Sequence, residues 1–280
     1  MKKNWQGPFF LVLASVFWSF SGLLIKSVTW SGTSVAAVRG MVCFLGFIIL
    51  VRPFPMKLNK VKIITAICFF GQCFLYVLAN KYTTAANATM LQCTSPLYLI
   101  LFTSLVTKKL PKKLDVIACL VLFGGIMLAF AGSIGGGGMF GNIMGLLSAV
   151  FYAGVFYCSR MEGADSIDST VLGNGMFLLL LPTLFTNEAV AAASLTEWVT
   201  VIAYGLVGGV GGWFCFAKGI RTTPSLQASF ITMLEPVLAP IWTFLFLQET
   251  ITVWSLLGAV VVIGGILVYN TLQEKAQQAS

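Results

Sequence analysis

Histidine is absent from all 280 residues, and only 9% of them carry charge as Asp, Glu, Lys or Arg. Without histidine the usual nucleophile–base–orienter set cannot be assembled, and the commonest metal ligand is missing. The expectation is therefore no catalytic residue, no cofactor and no metal. A soluble chain carries about 25% charged residues. One with so few, with 58% hydrophobic residues and a mean hydropathy of +0.92, belongs in a lipid bilayer. No P-loop is present, which excludes ATP-driven work within this chain. The seven cysteines (43, 68, 73, 93, 119, 158 and 215) form no C-x-x-C and read as small apolar side chains. Gly136-x-Gly138-x-x-Gly141 has the form of a dinucleotide fingerprint, but it joins two apolar runs and follows no strand.

What is there is a succession of apolar runs long enough to cross a bilayer, separated by short polar breakers. Ten spans are expected, at 8–27, 33–51, 61–80, 84–106, 113–131, 142–159, 169–186, 197–216, 223–247 and 252–271. The first is too long for a signal peptide, lacks an A-x-A cleavage site and has a counterpart later in the chain. Connections are short; the longest, Asn187–Thr196, leaves no room for a soluble domain.

With the N-terminus in the cytoplasm, Lys2, Lys3, Arg52, Lys57, Lys60, Lys62, Lys108, Lys109, Lys112, Lys113, Arg160, Lys218, Arg221 and Lys275 all fall on the cytoplasmic side. Lys26 and Lys81 fall outside, and Arg39 lies within a span. That asymmetry places both termini in the cytoplasm of a multi-pass plasma-membrane protein. Because the basic residues sit in loops between spans, the net charge of +8 gives no nucleic-acid surface.

Two stretches, Thr83–Lys108 and Thr223–Gln248, superimpose without a gap at an offset of 140 residues. Each follows a basic residue, and each is interrupted by proline after a polar residue, Ser95-Pro96 and Glu235-Pro236. Proline lacks a backbone donor and clashes with the preceding turn, so Pro96 and Pro236 are expected to kink their helices. Gly7–Lys26 also matches Gly141–Arg160, setting Trp18 on Tyr152, and Gly124-Gly125 falls on Gly264-Gly265. The chain thus divides into two repeats, 1–133 and 134–280. Five spans per repeat is odd, so the second must be inverted, and kinked segments at matching places in inverted halves mark a carrier's central site.

Ala14-Ser15-Val16-Phe17-Trp18, Arg39, Lys81-Tyr82-Thr83-Thr84-Ala85-Ala86 leading to Pro96, and Leu234-Glu235-Pro236 with Gln248-Glu249 together resemble one known family. It is the drug/metabolite transporter superfamily, in its ten-helix EamA branch, and the resemblance covers essentially the whole chain. Lys108-Lys109 stands where the family often has a Gly-Glu-like pair. The resemblance implies an all-α membrane protein with a central cavity, lined by helices one, three, four, six, eight and nine, that opens alternately to each side.

Glu235 lies near the bilayer midplane, where a charge costs about 2.5–3.5 kcal/mol. It is a candidate proton carrier, with a structural carboxylate at the kink as the plainer reading. Arg39 is shallow enough to snorkel; the other readings are an ion pair, Glu235 included, or a grip on a substrate carboxylate. Gln72, Tyr76 and Asn80 share one helical face, Gln92 sits one turn before Pro96, and Trp18, Tyr152 and Trp213 fall mid-span. Trp18, Gln72, Tyr76, Gln92, Tyr152, Trp213 and Glu235 are the candidate substrate residues, with Arg39 and Glu235 as coupling or ion-pair candidates. The function expected is secondary export of a small polar metabolite such as an amino acid, with protons as the coupling ion. Uptake of choline or another quaternary amine is the alternative, and a non-transporting membrane scaffold the alternative of another class.

Overall fold

The computed structural model describes residues 5–51, 56–129, 131, 138–247 and 253–278, which form helices and connections with no strand among them. Helix follows from the solvent: lipid offers no hydrogen bonds, so each segment must satisfy its own backbone. The first crossing is made of α1 (Gln6–Trp18) and α2 (Ser21–Lys26), followed by α3 (Gly32–Val51) and α4 (Lys60–Tyr82). Then come α5 (Ala85–Gln92), α6 (Ser95–Thr107), α7 (Lys113–Ala129) and α8 (Met139–Cys158). α9 (Ser166–Met176) continues as tight 3-10 turns over Phe177–Leu184, and the short α10 (Glu188–Ala191) follows. α11 (Leu195–Tyr204) widens into π turns over Gly205–Gly212 before α12 (Trp213–Ile220). α13 (Ser225–Thr232), α14 (Leu234–Leu247) and α15 (Val253–Gln278) complete the chain.

Eight stretches among the described residues are long and apolar enough to cross a bilayer. The two other expected spans are the 17-residue α7 and the interrupted pair α13–α14. Helix starts are set by local chemistry: Asn59, Thr84 and Asp165 accept hydrogen bonds from backbone N–H groups of the first turns of α4, α5 and α9. Ser194 and Glu197 form a reciprocal capping box on α11.

The two halves are interleaved. α4 runs along α8, α1 along α12 and the π turns, α3 along α9 and its 3-10 extension, and α7 along α15. Small residues permit these approaches. A Cβ on Gly71 would lie 2.7 Å from Phe151, and one on Gly154 would lie 2.7 Å from the sulfur of Cys68. The outer surface is apolar, with Ile49, Leu105 and Val260 well exposed, while Asn80, Asn174 and Ser148 are fully buried. At one end Lys62 pairs with Asp168 at 2.5 Å and Arg221 with Asp165 at 3.1 Å.

Several features are not announced by the sequence. Where kinks are expected at the prolines, the helices are interrupted by one or two residues that keep right-handed helical torsions: α5 ends at Gln92, and α13 ends at Thr232. Each is the residue four before its proline, whose carbonyl loses its partner, and Pro96 and Pro236 then sit in the first turn of the next helix, where no donor is needed. The first crossing breaks at Ser19-Phe20, which no proline announces; Ser19 turns its hydroxyl onto the Val16 carbonyl at 2.6 Å and accepts from Trp242 Nε1 at 2.6 Å. The long connection Asn187–Thr196 contains α10. Lys26, exposed, and Lys81, half-buried, clasp backbone carbonyls at the span ends. Lys26 donates to the Thr83 carbonyl at 2.7 Å and Lys81 to that of Val28. Gln248-Glu249, Gly136, Lys2, Lys3 and Arg52 lie outside the described residues.

Candidate functional site

The helix interruptions at Ser19-Phe20, Cys93-Thr94, Gly205–Gly212 and Met233 gather around one narrow cavity between the halves. Its volume is about 30 Å³, room for roughly two waters. α1 and α2 supply Trp18 and Ser21, α3 supplies Arg39, α4 supplies Gln72, Cys73 and Tyr76, and α5 supplies Gln92. From the second half come Tyr152 of α8, Tyr204 and Gly208 around the π turns, Trp213 of α12 and Glu235 of α14. The structure therefore brings together all seven expected substrate residues and Arg39. Asn80 stays out of the cavity, donating instead to the Tyr76 carbonyl at 3.0 Å.

Glu235 occupies the first turn of α14, where the unsatisfied N–H groups of a helix start favour a negative charge. It is 8% exposed, and the Tyr76 hydroxyl donates to its Oε1 at 3.4 Å while lying 3.0 Å from Thr89 Oγ1. Among the described residues no Lys or Arg nitrogen comes within 4.0 Å of it. The ion pair with Arg39, one of the alternative readings of the sequence, is not formed.

Arg39 does not snorkel. It is 2% exposed, with Nη1 donating to Asn174 Oδ1 at 3.2 Å, and it lies over the rings of Phe69, Phe177 and Tyr204 at 5.9, 6.0 and 5.7 Å. Such ring contacts contribute about 0.5–2 kcal/mol apiece, and together with one amide bond they replace a counter-ion. A charge this deep costs about 2.5–3.5 kcal/mol, so it is kept for packing or for use.

The aromatic residues form a wall. Trp18 lies 4.7 Å from Trp213 and 6.1 Å from Tyr152, centroid to centroid, with Phe69 and Phe216 against Trp213 at 4.5 and 5.2 Å. Trp18 Nε1 donates to the Gly208 carbonyl at 3.0 Å, holding one side of the wall to the π turns. Trp18 and Tyr152, which match in the repeat, meet in a direct edge contact at 76°.

A wider cleft, of about 510 Å³, opens at another level between α6, α8 and α13, bordered by Lys109, Lys112, Arg160 and Asp115. It is larger, but its basic groups, Lys109, Lys112 and Arg160, lie outside the helices, at the membrane ends. The cavity has the buried charges and polar atoms without partners that mark a site, and we place the site there.

The EamA-like transporter family model matches this chain twice, over residues 5–131 and 139–271. The chain belongs to the EamA-like transporter family. An uncharacterized transporter of Clostridium kluyveri is 24% identical, over 97% of this chain and 94% of that one. The pseudopaline exporter CntI of Pseudomonas aeruginosa is also 24% identical, over 92% of this chain and 93% of its own. The uncharacterized transporter YdfC of Bacillus subtilis is 26% identical, over 81% and 77%. A solved crystal structure superimposes with a TM-score of 0.76, covering 96% of this chain and 99% of its own at 16% identity, which speaks to the fold alone. This protein is therefore a multi-pass helical membrane protein of a transporter family whose members are built from two repeats.

Sequence reasoning missed Ser21, Cys73 and Tyr204. Tyr204 carried the same signal as Trp213, an aromatic residue away from the span ends beside the glycine run. Ser21 was hidden because nothing in the sequence marks the break before it. Cys73 lies next to Gln72 and projects from the same turn of α4.

Proposed function

We propose that this EamA-like transporter is a secondary carrier that exports a small polar metabolite, such as an amino acid, by alternating access, and not an enzyme. The observation that carries this reading is a narrow cavity, lined from both halves, at the level where four crossings are interrupted. Interrupted helices place hinges and free backbone groups beside a substrate. The packing pairs support two inverted repeats, because α4 with α8 and α12 with α1 are the contacts that a two-fold exchange of the halves would generate. A cavity of about 30 Å³ is smaller than any amino acid, so loading requires the halves to part. The direction rests on a relative that is a pseudopaline exporter. Protons are the coupling ion in this reading, taken up and released at Glu235, with both termini in the cytoplasm and the protein in the plasma membrane.

The quaternary-amine reading is weaker, because a cation needs ring faces around open space, whereas Trp18, Tyr152 and Trp213 pack against one another. A scaffold has no use for two buried charges. The test is a thermal-shift screen of purified protein against amino acids, amines, nucleosides and sugars, followed by counterflow of any stabilising compound in proteoliposomes. Stabilisation and counterflow by one class are the expected result; no stabilisation and no flux across the screen would overturn the reading.

A further inference from the structure

The wide cleft between α6, α8 and α13 is built differently from the central cavity. Its walls come from both halves: α6 and the loop after it from the first, the end of α8 and the start of α13 from the second. On α6 the lining residues are Leu99, Ile100, Thr103, Ser104 and Thr107, which share one helical face. That face runs for about 12 Å, close to the roughly 15 Å depth of one leaflet's hydrocarbon. Thr103 and Thr107 donate their hydroxyls to the Leu99 and Thr103 carbonyls at 2.8 and 2.7 Å, so the face offers water little to bond. Tyr157, Met161 and Leu226 line the cleft from the second half.

The rim has the opposite character. α6 ends at Lys108, whose left-handed torsions (φ 53°) stop the helix, and Lys109, Leu110, Pro111 and Lys112 then line the cleft. Arg160 joins them from the end of α8, fixed by Nη1 bonds to the Ile220 carbonyl at 3.3 Å and to that of Arg221. Asp115 is the one acid among the lining residues, and it is already answered, accepting from the Tyr269 hydroxyl at 2.9 Å and from Gln273 Nε2 at 3.1 Å. Among the described residues no carboxylate lies within 4.0 Å of the side-chain nitrogens of Lys109, Lys112 or Arg160. Three cations above an apolar slot of leaflet depth match a molecule with an anionic head and a hydrocarbon tail. A soluble anion would answer the rim and leave the wall facing water. A neutral lipid would cover the wall and leave the cations unanswered. Basic pockets between membrane helices suit acidic lipid headgroups. We infer that the cleft binds one anionic phospholipid, its phosphate on Lys109, Lys112 and Arg160 and an acyl chain along the face of α6. Seated there, the lipid spans the seam between the two halves.

The test is native mass spectrometry of the full-length protein, titrated in detergent with dioleoylphosphatidylglycerol or with dioleoylphosphatidylcholine. The wild type is expected to retain one phosphatidylglycerol about ten-fold or more tightly than phosphatidylcholine, the factor that two or three basic residues near an acidic headgroup supply. Lys109→Gln with Lys112→Gln should remove that preference; both side chains are exposed, so the fold should survive. Lys57→Gln with Lys60→Gln, equally exposed in another basic loop, should keep it. Thr103→Trp, which fills the cleft and leaves the rim untouched, should also weaken phosphatidylglycerol retention, and excess inorganic phosphate should not displace the lipid. If Thr103→Trp fails to fold, the lysine pairs, the wild type and the phosphate competition still decide. Equal retention of the two lipids overturns the inference, and so does an equal loss in both lysine pairs, which would assign the preference to general surface charge. Full retention in a folded Thr103→Trp protein would leave a headgroup contact with no seat for a chain, and displacement by phosphate would leave a site for a free anion. Either result overturns it as well.

Discussion

The hydroxyl of Tyr76 on α4 stands between two elements, 3.0 Å from Thr89 Oγ1 on α5 and 3.4 Å from Glu235 Oε1 on α14. It is a direct polar link between Glu235 and the first half of the molecule. Removing it with Tyr76→Phe should cost about 1 kcal/mol of stability, the net worth of an ordinary buried hydrogen bond. Transport should fall much more, by about ten-fold, because the same hydroxyl positions the carboxylate. Thermal unfolding and initial counterflow rates measured on the same preparation separate the two effects. A loss of flux no larger than the loss of folded protein would reduce Tyr76 to packing.

Glu235→Gln tests the coupling role. A carboxamide keeps an acceptor oxygen but holds no exchangeable acid proton, so a pH gradient should no longer drive flux. At saturating substrate, counterflow should persist at a reduced rate and be the same with and without the gradient. A Glu235→Gln protein still accelerated by the gradient would assign proton exchange to another group.

Much of the fold was legible because lipid leaves the chain few choices: length, hydropathy and the places where polar residues interrupt an apolar run locate the crossings. The lining of the candidate site was legible for the same reason. Gln72, Tyr76, Gln92 and Glu235 are costly at their depth, so each points to where lipid is absent. What could not be read depends on neighbours that are distant in sequence. Arg39 lies near enough to a span end to snorkel, and only the packing of Phe69, Phe177 and Asn174 around it decides otherwise. The break at Ser19-Phe20 likewise depends on Trp242, more than two hundred residues away.

The glycines divide by what surrounds them. A Cβ on Gly212 would come within 2.3 Å of Trp18 Nε1, a rigid indole held by the Gly208 carbonyl. Gly212→Ala should therefore cost about 1–3 kcal/mol by overpacking, and it should displace the aromatic wall. Gly124 and Gly264, which match in the repeat, meet nothing within 4 Å. Alanine at either should be neutral or stabilise by up to about 1 kcal/mol, through helix propensity. Thermal unfolding of the three variants in one detergent checks the contrast. Equal shifts would mean that Trp18 yields without cost.

The proposed orientation rests on loop charge alone and has a direct test. Leu110, in the loop with Lys108, Lys109, Lys112 and Lys113, is 95% exposed, and Phe185, at the end of the 3-10 turns, is 93% exposed. Basic loops stay in the cytoplasm. In intact cells, then, a membrane-impermeant maleimide should label Phe185→Cys and leave Leu110→Cys untouched until the membrane is opened. Five of the native cysteines are buried in the core and small enough for serine replacement to give a low background. Labelling of both positions from the same side would break the crossing count between them. Labelling of Leu110→Cys alone would invert the whole topology and, with it, the sense in which the carrier faces the cell.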